Sequence, residues 1–220
     1  MYPFQYLSRP KMLYLLYFFL IIFFTPFYFS PETSAAMLDF SDLGTPIPQT
    51  YGDIANLDLS YNVRSDFGNS VISTGSVVGH WRLGYSDLVD VAWGSLLNDP
   101  NLVAEINFAP TPGNFAILDN FDLGFWASDT YNTQVRVYNA DYSNVTYDSG
   151  ALNIGGSTAI NFNIDILLAE TLHLQWKYPW AVAIDNVVYD VAPVPIPAAI
   201  LLLASGLVGL FGLKRNIRRY

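Results

Sequence analysis

Eighteen of the nineteen acidic side chains lie between Asp39 and Asp190, and within that stretch only Glu105 and Glu170 are not aspartates. Beside them are two histidines, His80 and His173, and no cysteine anywhere. A thiolate nucleophile, a thiolate metal site and a disulfide framework are therefore excluded. No serine sits in a nucleophile elbow, and neither a His-x-x-x-His pair nor a glycine-rich phosphate loop occurs. Eighteen acids always offer carboxylate pairs, so a glycan-active hydrolase stays open as an alternative. The plainer reading is a non-catalytic domain with solvated aspartates and surface histidines. His173 falls on the polar side of its run, beside Thr171 and Gln175.

The five tryptophans are Trp81, Trp93, Trp126, Trp176 and Trp180. Trp176 alternates with Leu172 and Leu174 and belongs to a core. Trp180 sits in Tyr178-Pro179-Trp180, a loop-like setting, and Trp126 ends an apolar run near Ser128-Asp129. A flat apolar ring matches the C–H face of a pyranose, so Trp126 and Trp180 are the candidate sugar-stacking residues. Between residues 37 and 191 four cations face eighteen acids, a net charge of −14. Such a surface repels phosphate backbones, which excludes nucleic acid as a partner.

Alternation of apolar and polar residues positions these side chains. It is strict in Leu57–Arg64, Ile160–Ile166 and Thr171–Lys177, and it recurs at 102–108, 115–126, 133–139, 144–148 and 182–190. Half-buried antiparallel strands give this period. Turn signals separate the runs, at Asn98-Asp99-Pro100, Pro110–Gly113, Asn139–Asp141 and Gly155-Gly156, and Tyr147–Leu152 reads as a hairpin turn. Only 86–97, with Leu88, Val91 and Leu96, hints at helical spacing. The expectation is an all-β protein, an antiparallel β-sandwich of the jelly-roll kind. The stretch Ala183-Ile184-Asp185-Asn186-Val187-Val188-Tyr189 resembles the last strand of carbohydrate-binding-module jelly rolls. That resemblance implies a structural Ca²⁺ held by Asp185 with oxygens from the first strand, where Asp39 and Asp42 fall. Hard oxygen ligands at strand ends suit that ion.

The two ends read differently. Arg9 and Lys11 precede an unbroken apolar run from Met12 to Phe24, and small residues follow at Ser34 and Ala36. This is the pattern of a signal peptide over residues 1–36, cleaved before Met37 by signal peptidase. An uncleaved anchor is the alternative. After a domain spanning 37–191, residues 192–220 combine three parts. Prolines at 193, 195 and 197 form an extended spacer. Ile196 to Leu213 is 18 residues without a charge, enough to cross a hydrocarbon core as a transmembrane helix. Lys214, Arg215, Arg218 and Arg219 follow and belong on the cytoplasmic side. The tail Val194-Pro195-Ile196-Pro197-Ala198-Ala199, with Ser205-Gly206-Leu207-Val208-Gly209-Leu210 and Lys214-Arg215, closely resembles the PEP-CTERM sorting domain. Ile196 replaces the eponymous glutamate. The resemblance implies recognition by an exosortase and a precursor tethered in the inner membrane. Processing would then deliver the protein to the cell surface or the medium, beside extracellular polysaccharide.

Overall fold

The computed structural model describes residues 35–72, 75–94, 99–168 and 170–194, together with Leu203 and Gly206. The expected signal peptide, transmembrane helix and basic tail lie outside the described residues, apart from Ala35, Ala36 and those two isolated positions. Among the described residues no helix is long and apolar enough to cross a membrane.

Thirteen strands are described: β1 (Ala36–Leu38), β2 (Leu57–Arg64), β3 (Val78–Trp81), β4 (Val91–Gly94), β5 (Val103–Pro110), β6 (Asn114–Phe125), β7 (Thr130–Thr133), β8 (Val135–Tyr138), β9 (Val145–Asp148), β10 (Leu152–Gly155), β11 (Ile160–Leu168), β12 (Leu172–Lys177) and β13 (Val182–Pro193). All pairings are antiparallel. One sheet runs β11-β6-β13-β4-β3, with β1 added on β13; the other runs β2-β5-β12-β8-β9; β7 and β10 form a separate ribbon. The sheets close on one core, as the alternation requires. Leu59, Ile106, Leu174 and Trp176 of one sheet and Leu118, Phe121, Leu123 and Ile184 of the other are at most 4% exposed. Trp176 donates its buried Nε1–H to the Val182 carbonyl of the facing sheet at 2.9 Å, so its indole is both apolar filling and a polar tie.

Two local expectations are corrected. The 86–97 window is not a helix where it is described; it contains β4, because Val91 and Ala92 alternate between two apolar environments and so follow strand geometry. Tyr147–Leu152 does not close a hairpin. β9 pairs β8, while β10 pairs β7, so the Asp148–Gly150 turn carries the chain from one sheet to another. Asp39 and Asp42 also fall after the first strand rather than in it, since β1 ends at Leu38.

Candidate functional site

Val91 and Ala183 alternate with Ala92, Val182 and Ile184, which are in the main core. They therefore point to the opposite, outer face of that sheet, where Tyr85 and Leu88 cover them as a second apolar cluster. Tyr85 and Leu88 come from the β3–β4 loop, residues 82–90. Backbone bonds fasten that loop to the end of β6: Ser86 N donates to the Phe125 carbonyl and Ala127 N to the Gly84 carbonyl, both at 2.9 Å. The approach is close enough to need glycine. A Cβ on Gly124 would stand 2.7 Å from the Tyr85 carbonyl oxygen, and one on Gly84 would meet the Trp126 ring at 3.0 Å with a φ of +105°.

This arrangement gathers aromatic rings. In the β3–β4 register Trp81 faces Val91 and Trp93 faces Gly79, so the two indoles are diagonal neighbours on one face. Their centroids are 5.5 Å apart at 67°. Trp81 also meets Trp126 edge-on at 5.8 Å, and Trp126 meets Trp180 at 6.2 Å and Tyr85 at 5.3 Å. Trp126 N bonds the Ala181 carbonyl at 2.9 Å, and the Tyr85 hydroxyl donates to the Trp180 carbonyl. Together the five rings line an open recess of about 100 Å³. Trp81 is 43% exposed at its mouth, and its Nε1–H donates to the carbonyl of exposed Leu83.

The recess brings together the two sequence-predicted stacking residues, Trp126 and Trp180. It adds Trp81, Trp93 and Tyr85, which the sequence did not mark. Its one titratable lining group is the Tyr85 phenol, which burial pushes up and whose proton is engaged. The recess can therefore stack rings and bury apolar groups, but it holds no group poised for proton transfer at neutral pH.

The acids behave otherwise. Asp39 Oδ1 accepts bonds from Ser41 N, Ser41 Oγ and the Tyr51 hydroxyl; the Ser41 backbone bond most of all holds its carboxyl below the usual range. Asp42 is exposed in the following turn at a φ of 57°. Asp185 is 4% exposed and stands directly opposite Asp122 on β6. Burial first, and then repulsion from Asp122, Asp39 and Asp90, pushes its carboxyl up to about 7, against the pull of the Asn186 N–H. Among the described residues no three His, Asp or Glu side chains are close enough together to hold a metal ion.

His173 is not a surface histidine. It is 6% exposed, stacked on Tyr142 at 3.9 Å, and part of a network on the outer face of the β2-β5-β12 sheet. At its centre is Glu105, fully buried, which accepts bonds from Arg64 Nε at 2.8 Å, Gln175 Nε2 at 2.6 Å and the Tyr142 hydroxyl at 3.0 Å. Burial opposes the charge, but His173, 3.7 Å away, and the hydrogen bonds from Arg64 and Gln175 outweigh it and bring the carboxyl down to about 2. Residues 65–70 cover the network: Gln175 exchanges two bonds with the Gly68 backbone, and Phe67 lies under the Arg136 guanidinium at 4.7 Å. Each buried charge is answered, which is the pattern of a structural group.

Of the expected sorting residues, Val194 ends the main described stretch and Gly206 is helical. Pro195, Ile196, Pro197, Ala198, Ser205, Gly209, Lys214 and Arg215 lie outside the described residues.

No protein-family model matches the chain, and no curated protein does. Solved structures do. The tandem CBM22 domain of Paenibacillus barcinonensis Xyn10C matches at 12% identity and a TM-score of 0.38, over 72% of this chain and 50% of that one. A family 35 carbohydrate-binding module from Clostridium thermocellum matches at 12% identity and 0.34, over 73% and 99%. The enzymatically active domain of bacteriophage CBA120 tailspike protein 4 matches at 20% identity and 0.34, over 65% of this chain and 20% of that one. The chain thus spans a fifth of the tailspike domain and half of the tandem.

Proposed function

We propose that this chain is an exported envelope or extracellular-matrix protein whose β-sandwich binds glycan without cleaving it. The observation that carries the reading is the five-ring recess on the outer face of the β6-β13-β4-β3 sheet, with an exposed indole at its mouth. Sugar C–H faces stack on such rings, and stacking of this kind contributes about 0.5–1.5 kcal/mol per ring beyond area burial. For the hydrolase alternative, the pair of Asp122 and Asp185 is poorly placed, because Asp185 is too covered for a substrate to reach its carboxyl.

What supports export and sorting is the order of parts in the sequence: cations and an apolar run at the start, then prolines, 18 uncharged residues and four cations at the end. This is the PEP-CTERM pattern, which names signal peptidase and an exosortase as processing partners and the inner membrane as the precursor's station. The binding test is glycan pull-down with Trp126→Ala and Trp180→Ala. Retention should drop in both variants, measured at a temperature where each is still folded because the loss of a packed ring lowers stability; unchanged retention sinks the glycan reading.

A further inference from the structure

We propose that the glycan taken by this recess is cationic: a polymer of amino sugars bearing free ammonium groups. The proposal rests on the glycan-binding reading and adds the charge of the ligand to it.

Three observations converge. The first is the lining. Four of the five rings are indoles, the strongest of the aromatic partners for a cation, and neighbouring rings are inclined at 52° to 73°. Rings inclined in this way present faces as well as edges, and a cation settles on a face. The second is what the lining lacks. No lysine, arginine or amide side chain is among the lining residues, so an anionic sugar would meet no cation there; of the lining donors, the Trp93 Nε1–H is buried without a partner. The third is the field around it. Asp87 lies two residues after Tyr85, with its Oδ1 on the Ala159 N–H; Asp90, beside β4, pairs with His80 at 2.8 Å; and Asp129 closes the turn on Trp126, its N–H reaching the Trp126 carbonyl at 3.1 Å. Arg82 is the one nearby cation in sequence, within a domain of net charge −14. An equatorial ammonium leaves the C–H face of a pyranose free. The sugar ring can then stack on Trp81 while its charge is held by an indole face within the negative field of the domain.

The experiment titrates the full chain, purified in detergent, with three probes of equal length: β-1,4-glucosamine oligomers, the same oligomers N-acetylated, and oligogalacturonate. Tryptophan fluorescence and calorimetry report binding. The glucosamine oligomer should bind about tenfold tighter than its acetylated form and weaken as salt rises, and oligogalacturonate should not bind. Trp81→Ala, which removes the most exposed ring, should abolish the glucosamine preference while leaving the melting temperature in place. Equal binding of the acetylated oligomer overturns the charge proposal but leaves the glycan reading standing. Failure of all three probes removes both. Unchanged glucosamine binding by Trp81→Ala would mean a polycation attracted to an acidic surface, and the proposal would fall on that result too.

Discussion

Glu105 shows how one carboxylate can be held charged where burial alone would neutralise it. Arg64, Gln175, Tyr142 and His173 surround it, and each is itself held in place. Its carboxyl stands near 2 in the folded protein against an ordinary 4.5. A depressed acid contributes stability above its unfolded value and loses it as pH falls through the folded one. Acid unfolding should therefore steepen between about pH 4.5 and 2, by about 3 kcal/mol in all. Glu105→Gln should flatten that window in a urea-denaturation series, and Glu105→Ala, which strands the Arg64 guanidinium, should cost about 3–5 kcal/mol at neutral pH. Asp185 runs the other way. Raised to about 7, it keeps its proton where the unfolded chain has lost it, so its contribution to stability falls as pH climbs from about 4 to 7. Asp185→Asn, which resembles the protonated acid, should raise the melting temperature at pH 8 and change it little at pH 4. Ca²⁺, which the sequence resemblance implies at Asp39, Asp42 and Asp185, would relieve the same repulsion, and we propose that millimolar Ca²⁺ stabilises the wild type and not Asp185→Asn. An unmoved melting temperature in the wild type takes Ca²⁺ out of the proposal.

The β3–β4 loop is the element on which the recess depends. It is held against β6 by Ser86 and against the β10–β11 connection by Asp87, whose Oδ1 accepts the Ala159 N–H at 2.6 Å. A Cβ at position 124 meets backbone at Tyr85 and the Leu88 side chain. Gly124→Ala should cost about 1–3 kcal/mol and loosen glycan retention with it, read together by denaturation and pull-down. The long strands were legible because alternation is a local signal: β2, β5, β6, β12 and β13 begin or end within two residues or so of the runs that announce them, except that β13 continues three residues further, to Pro193. Trp126 and Trp180 were legible as strand-end and loop aromatics for the same reason. Trp81, Trp93 and Tyr85 were not, because nothing local tells that β4 will pair with β13 some ninety residues on. His173 misled in a similar way. Its strand face is polar as read, but the β8–β9 turn lays Tyr142 over the ring and its Ala140 carbonyl against Nε2, and so buries it.

At the scale of the whole molecule, charge and the chain's two ends set behaviour. An acidic domain with four internal cations should bind any cationic partner less well as salt rises, and anionic polymers poorly throughout. Sorting belongs to this scale also: replacing Pro195 and Pro197 should change the mass and fractionation of the mature protein, whereas identical processing would refute exosortase handling. β13 joins the two ends of the argument. It starts beside Trp180 in the recess and stays paired with β6 as far as Pro193 opposite Asn114, after which Val194 N bonds the Gly113 carbonyl at 2.9 Å. Twelve extended residues span about 40 Å, so ligand and tether would sit at opposite ends of one strand. A pull between a bound polymer and the anchored tail would then travel lengthwise along β13. The hydrogen bonds to β6 would resist together, in shear, instead of opening one at a time like a zip. A domain wired this way is suited to bearing tension between a cell and its surroundings.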